Sequence, residues 1–452
     1  MGHEVKEAIE RYHGLLTDET ALEAQSSLNK LLRERKLYFG ERPLCTVLRP
    51  HFCTPAQWDY LQRETSIILG AFATAYQASL KDAGLRTQLS LEPYEESLFS
   101  LDHFFQAPWS SSRLDSFYDP ENESLRFIEY NAETPAGMTY EDQLAEAFMN
   151  LSLFRQFEEY YGVQHLALTG HLLTALLATY REWGGQDQPN IGVVDWGDVP
   201  TLNEHELCQA YFETYGFKTI LADPRGLEYR HGALYAGDFR IDLIYKRVLV
   251  SELIDRMGMD NPIVRAVRDH AVCMSNGFSA KLLAKKSSFA LLGDERNEYL
   301  FRPGERAAIE AHIPWTRRVE ERKTYFHGQA IDLLPFILDH RESLVLKPND
   351  EYGGRGVIIG WQTPPDEWQA ALRGALNTPF VVQERVHIAS EDYPSIVAGK
   401  LDISSRLIDA DPYIFQGKLV GGSLTRLSSV ALLNVTAGGG SAVPTFIVRR
   451  AE

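Results

Sequence analysis

The chain lacks the short patterns that assign many enzymes directly. No GxGxxG follows its first parallel-type strand, so the dinucleotide-binding fingerprint is absent. No helix opens with GK[ST], which excludes a Walker A phosphate loop. Cysteine is scarce, and Cys45, Cys53, Cys208 and Cys273 form neither a CxxC pair nor a zinc-type spacing with histidine, so they read as buried free thiols. No apolar run reaches the length of a bilayer span, and the opening MGHEVKEAIERYHG lacks the hydrophobic segment of a secretory signal. A cytoplasmic protein without a membrane partner is expected. Positive charge is also short: a net charge of −17 with no lysine/arginine-dense stripe excludes nucleic acid as a partner.

What is present is material for more than one core. A length of 452 residues exceeds what one hydrophobic core usually supports, so two or three packed units are expected. Residues 1–90 read mainly as helix, with apolar residues at three- and four-residue spacing in LTDETALEAQSSLNKLLRER and TPAQWDYLQRETSIILGAFATAYQASL. PLCTVLRPHF between them reads as a short strand, and residues 91–185 begin with extended segments. HLALTGHLLTALLATYREW reads as a helix carrying His165 and His171 in structural roles, and the polar residues 184–190 read as a linker. Residues 186–280 alternate strand, helix, strand, strand (NIGVVDWG, HELCQAYFETYG, FKTILAD, RIDLIYKRV), as a parallel α/β layer does. Residues 281–452 open with helices AKLLAKKSSFALLGDE and QAIDLLPFILDH and end in β-rich sequence. The class is α/β, shading into α+β.

Two runs carry chemistry. In LVLKPNDEYGGRGVIIG, a strand ending at Lys347 leads into a turn with Gly353, Gly354 and Gly356, then a second strand. Such a tip exposes backbone N–H groups without bulky side chains and can close over phosphate oxygens. Lys347 adds a charge at the strand end, and Lys286 or its neighbour Lys285 a second. FVVQERV downstream offers an extended edge to an adenine, with Gln383 or Glu384 reaching its amine or a ribose hydroxyl.

The other run, RLDSFYDPENESLRFIEYNAETP, reads as an antiparallel hairpin. Its simplest register sets Arg113 opposite Asn131, Asp115 opposite Glu129, and Phe117 opposite Phe127, giving a polar square above an aromatic pair. Opposed carboxylates repel unless a cation lies between them. A hard ion such as Mg2+ suits Asp115 and Glu129, with the amide oxygen of Asn131 as a third ligand. Arg113 stands beside them, placed to stabilise charge on a transferring phosphoryl group or to hold a substrate carboxylate.

Lys286, KP-x4-GG-x-G and VVQE, combined with D…E-x-N, resemble the ATP-grasp superfamily of carboxylate ligases. The metal pair precedes the glycine hairpin, an order that resembles the circularly permuted branch typified by the synthetase domain of glutathionylspermidine synthase and related to eukaryotic-type glutathione synthetase. The resemblance implies an ATP-grasp fold in permuted order. Its metal-binding part would be residues 91–185, an inserted parallel α/β, pre-ATP-grasp-like substrate domain 186–280, and the ATP-binding lid with the rest of the core 281–452. It also implies metal binding by Asp115, Glu129 and Asn131, a catalytic Arg113, and phosphate contacts from Lys286 and Lys347. No Cys/His amidase segment precedes these motifs, so the bifunctional arrangement is not expected, and residues 1–90 match nothing in the family.

The expected activity is ATP- and Mg2+-dependent ligation of a small, peptide-like carboxylate to an amine through an acyl phosphate, in a chain compatible with a homodimer. The alternatives are a nucleotide-binding sensor of the same fold without ligase activity, or an ATP-dependent phosphotransferase. Substrate-facing candidates are residues 195–206, the loop 434–444, Arg247 and Arg426.

Overall fold

Helix Pro55–Lys81 shows how local sequence sets the architecture. Thr54 and Gln57 cap each other, the Thr54 hydroxyl accepting the Gln57 amide at 3.2 Å and the Gln57 side chain accepting the Thr54 amide at 2.8 Å, with Pro55 opening the helix. Trp58, Leu61, Ile68, Leu69, Phe72, Ala75 and Tyr76 make a buried stripe along it. Phe72 packs on Tyr130 with ring centroids 4.7 Å apart and on Phe289 at 5.3 Å, so this helix underlies the hairpin and the lysine segment together.

The computed structural model describes residues 2–102, 105–430 and 440–451. Its largest sheet is antiparallel and runs in the order Ser390–Val397, Lys400–Ile408, Leu419–Ser428, Asp411–Phe415, Ser111–Asp119, Ser124–Asn131. Strands from far along the chain therefore flank the acidic hairpin. The parallel sheet has the order Cys273–Ser275, Leu243–Lys246, Ile191–Val194, Thr219–Ala222, with helix Leu202–Thr214 crossing between the last two. A smaller antiparallel sheet orders Thr316–Arg318, Phe380–Glu384, Leu344–Pro348, Ile358–Ile359 over its own core of Leu333, Ile337, Leu346, Trp368 and Val382.

Residues 1–90 make no separate core. Ala21, Leu28 and Leu32 share a cluster with Phe148, Leu172 and Phe446, while helix Pro55–Lys81 shares one with Leu114, Phe127 and Tyr130. Strand Thr445–Arg450 lies between His51–Cys53 and Tyr161–His165, joining both ends of the chain to its middle.

Several expectations are corrected. His165 ends a strand, and the helix begins only at Thr169, because the Asp142 carboxylate accepts the Leu168 and Thr169 amides, each at 2.8 Å. AKLLAKKSSFALLGDE breaks into Lys281–Ala284 and Ser287–Gly293 at Lys285 and Lys286. In QAIDLLPFILDH, Gln329–Asp332 is a strand and only Leu333–Asp339 is helix. RIDLIYKRV divides between two sheets, Phe239–Ile241 in one and Leu243–Lys246 in the other. PLCTVLRPHF is mostly loop between Arg42–Pro43 and His51–Cys53, and Pro93–Leu98 is a helix where extended chain was expected. All four cysteines are buried and free. Among the described residues no helix is long and apolar enough to cross a membrane.

Candidate functional site

The hairpin pairs Arg113 with Asn131 and Asp115 with Glu129, as its spacing predicts. Beyond Asp115 the register shifts: Ser116 pairs with Phe127 and Phe117 with Arg126, so the Phe117–Phe127 pair does not form. A bulge adds one residue to one strand. That residue is Ile128, and its carbonyl accepts Lys347 Nζ at 3.2 Å.

Protein cations answer the repulsion of the two carboxylates. Asp115 accepts Arg113 Nε at 2.7 Å and Nη2 at 3.2 Å, Arg426 Nη2 at 2.8 Å and Asn131 Nδ2 at 2.8 Å. Burial alone would raise the Asp115 carboxyl, but Arg113 and Arg426 hold it down to about 2. Glu129 pairs with Lys286 at 2.9 Å. Arg426 also reaches Asp409 and Asp411, both at 2.7 Å, so three carboxylates occupy it and it is not free for a substrate acid. Burial raises Asp409 to about 6 and pushes Asp411 up as well. Asp411 Oδ2 lies 2.7 Å from Arg426 Nη2 without forming a hydrogen bond.

On the opposite side, Lys347 Nζ donates to Gln383 Oε1 at 2.7 Å, and Gln383 Nε2 to Thr316 Oγ1 at 3.0 Å. Gln383 is buried and its amide spent on these contacts, while Glu384 turns to the other strand face and meets His327 at 2.9 Å. Burial lowers the Lys347 ammonium to about 8 against the pull of Glu129. Of the neighbouring lysines, Lys286 faces the hairpin and also donates to the Glu351 carbonyl, whereas Lys285 is engaged by Glu95 and Asp350, each at 2.8 Å. Gly353, Gly354 and Gly356 take φ of 64°, 73° and 67°, a conformation glycine adopts without strain.

Contacts thus join Arg113, Asp115, Glu129, Asn131, Lys286, Lys347 and Gln383 into one continuous site, with Glu384 outside it. Sequence reasoning left Asp409, Asp411, Lys281, Asp350 and Glu133 unassigned. Asp409 and Asp411 alternate at a strand start, and Lys281 precedes Lys285 by one helical turn, patterns that would have marked both pairs. Glu133 accepts Lys281 at 2.9 Å and the Val250 amide at 2.7 Å, and Lys281 also holds Asp350 of the glycine loop at 2.7 Å.

The residues after Asn131 tie this site to the parallel sheet. The Ala136 carbonyl accepts both Arg113 Nη1 at 2.9 Å and the Tyr413 hydroxyl at 2.6 Å, and the Gly137 amide donates to Glu204 at 2.7 Å. Gly137 has φ of 106°, and a Cβ there would sit 2.5 Å from the Tyr413 hydroxyl. Gly137→Ala is therefore expected to cost about 1–3 kcal/mol. Urea unfolding will read it; unchanged stability would show that the turn relaxes freely.

Glu141, Asp142 and His165 bring potential ligand atoms within 4.8 Å of one another, but each is accounted for. Asp142 caps a helix, and Glu141 accepts the Thr445 amide at 3.1 Å and pairs with His165 at 3.1 Å. A cavity of about 490 Å³ lies beyond Asp409, lined by Phe52, Trp58, Tyr118 and Glu391. Most of the covering loop expected at 434–444 lies outside the described residues.

A solved glutathione synthetase-like effector of Globodera pallida, in its apo form, superimposes with a TM-score of 0.54 at 10% identity, covering 95% of this chain and 96% of that one. The chain shares the fold of this glutathione synthetase-like effector. No family model matches it. A Frankia casuarinae protein provisionally named glutamate–cysteine ligase 2-2 is 25% identical over 344 residues, 72% of this chain and 37% of that protein. An uncharacterized Synechocystis protein is 24% identical over 264 residues, 54% of this chain and 51% of its own length. The chain thus spans about half or less of these relatives.

Proposed function

We propose that the chain is an ATP-dependent ligase that joins a small carboxylate to an amine, of the circularly permuted, glutathionylspermidine synthase-like type. One observation carries this reading: Lys347 and Lys286, on the glycine-loop side, reach the Ile128 carbonyl and the Glu129 carboxylate of the hairpin at 3.2 and 2.9 Å. Segments 157 and 219 positions apart share one charged junction of the composition that phosphoryl transfer needs. The ligase names of relatives and the glutathione synthetase-like fold support the same chemistry.

The donor set fits Mg2+. Glu129 and the Asn131 Oδ1, whose Nδ2 is spent on Asp115, would offer oxygens to the ion, and Asp115, which accepts Arg113, Arg426 and Asn131, would join them by giving up one of those contacts. An Mg2+ ion held by these residues would neutralise phosphate charge. Lys286 and Lys347 offset the remaining charge, the amides around Gly353, Gly354 and Gly356 close over the phosphates, and Glu384 lies nearer the nucleoside. Gln383 steers the Lys347 ammonium. Arg113, fixed by Asp115 and Ala136, stabilises the charge that develops as a substrate carboxylate oxygen attacks the γ-phosphorus and ADP departs. The amine then attacks the acyl carbon, the C–O bond to phosphate breaks with its electron pair leaving on phosphate, and the nitrogen gives up a proton.

The test is ADP release from ATP and Mg2+ with a mixture of amino acids, peptides and amines, using carboxylates labelled with 18O. Transfer of one label into phosphate is expected. ADP formed without added substrate points to a hydrolase, and ATP binding without any ADP points to a sensor.

Lys347 adds a pH dependence. Its ammonium is charged below about 8 and neutral above. ATP affinity is therefore expected to fall as pH rises through that value, by at most about tenfold per pH unit. Titrations from about pH 6.5 to 9.5 check this, and Lys347→Arg is expected to flatten the profile. A wild-type profile without a break near pH 8 removes Lys347 from phosphate binding.

A further inference from the structure

Among the described residues four arginines are buried, Arg49, Arg113, Arg247 and Arg317. Three have a carboxylate oxygen close by, Glu391 at 2.6 Å, Asp115 at 2.7 Å and Glu295 at 2.9 Å. Arg247 has none within 4.0 Å. Its Nη1 donates to the Pro135 carbonyl and touches the Tyr245 hydroxyl at 3.4 Å. A guanidinium is always charged, and burying one without a counter-ion is costly.

Its position is one where ligands bind. Arg247 follows strand Leu243–Lys246 and Asp195 follows the adjacent parallel strand Ile191–Val194, with Lys246 and Val194 in register. Both residues therefore stand at the carboxyl ends of neighbouring parallel strands. Glu204, also buried, has one oxygen on the Gly137 amide at 2.7 Å and the other, Oε2, without a partner. His205 Nε2 is likewise buried without a hydrogen bond, 3.5 Å from Asp195 Oδ2. Burial pushes the Glu204 carboxyl up, and the Arg247 charge opposes it, so the two groups sense each other without pairing.

We propose that Arg247 and Glu204, flanked by Asp195 and His205, receive a zwitterionic substrate, an α-amino acid or the end of a short peptide, its carboxylate on Arg247 and its ammonium on Glu204. A ligand with both charges supplies the missing counter-ion and the missing donor together. The proposal rests on the ligase reading, because residues 135–137 touch both groups: the Pro135 carbonyl accepts Arg247 Nη1, the Ala136 carbonyl accepts Arg113 Nη1 at 2.9 Å, and the Gly137 amide donates to Glu204 at 2.7 Å. Arg247 keeps 6% of its surface open, whereas Glu204 Oε2 is sealed. Entry of the ammonium therefore shifts the turn at Gly137.

Calorimetric titration of the whole chain tests this, using the proteinogenic L-amino acids and dipeptides, then the methyl ester and N-acetyl form of the tightest binder, with 1,4-diaminobutane as a cation lacking a carboxylate. At least one free acid is expected to bind at least tenfold more tightly than either blocked form or the diamine. Arg247→Met is expected to erase the preference over the ester, and Glu204→Gln the preference over the N-acetyl form. If Arg247→Met does not unfold cooperatively, Arg247→Lys replaces it, and the wild-type comparison stands by itself. The proposal is overturned when no free acid outbinds its ester, or when a folded Arg247 variant keeps the wild-type preference. Amino-acid binding without substrate-dependent ADP sinks the ligase reading and leaves the receptor. ADP release with blocked and free acids bound alike does the reverse.

Discussion

Arg113→Lys is expected to lower substrate-dependent ADP release by roughly 10²- to 10³-fold while the chain stays folded. The guanidinium uses a fork geometry that an ammonium lacks: Nε and Nη2 bind Asp115 at 2.7 and 3.2 Å while Nη1 binds the Ala136 carbonyl at 2.9 Å. Lysine preserves the charge but cannot hold both partners, so the cation leaves the direction in which phosphoryl charge develops. The fold survives because Asp115 keeps Arg426 at 2.8 Å and Asn131 at 2.8 Å. Steady-state ADP release beside thermal unfolding reads both halves. Near-wild-type turnover in a folded Arg113→Lys chain would remove this arginine from the chemistry.

Glu129→Gln is expected to cost a similar factor, by a different route. The carboxylate faces Lys286 at 2.9 Å and stands opposite Asp115, and its side chain is 28% exposed against 4% for Asp115. It is therefore the more open of the two carboxylates proposed to hold the metal ion. Glutamine keeps shape and removes charge, so half-saturation by Mg2+ is expected to rise by about 10- to 100-fold, with turnover at saturating Mg2+ still depressed. Release of Lys286 makes a second effect visible, a change in ATP affinity without Mg2+. A Mg2+ requirement identical to wild type would show that the ion, if used, binds elsewhere.

Local pattern carried far in this chain. The hairpin register at Arg113, Asp115, Glu129 and Asn131 follows from alternation and a short turn, and helix Pro55–Lys81 from a capping box and a 3.6-residue stripe. Pattern failed where tertiary contacts overrode it. The bulge at Ile128 is invisible in LRFIEYN, since nothing local distinguishes a bulged residue from a paired one. The helix expected across Lys285 and Lys286 breaks there: the Lys286 amide donates to the Asn349 carbonyl at 3.0 Å and the Ser287 amide to the Asn349 side chain at 2.8 Å. The strand pattern offers Gln383 to a nucleoside, whereas the fold sets its side-chain amide on Lys347 and Thr316, partners that no local pattern shows.

From residue order alone came the two chemical halves of the site, the alternation of the parallel layer and the resemblance to a ligase family, because each rests on short-range periodicity or on residue types. Only the folded chain decided which charges meet. Arg426 closes on Asp115 across 311 positions, Lys347 on Ile128 across 219, and Arg247 is left without an ion-paired carboxylate among the described residues. Pairings at such separations depend on how sheets pack, and the free energy that selects them is spread over whole hydrophobic clusters rather than written in any one segment.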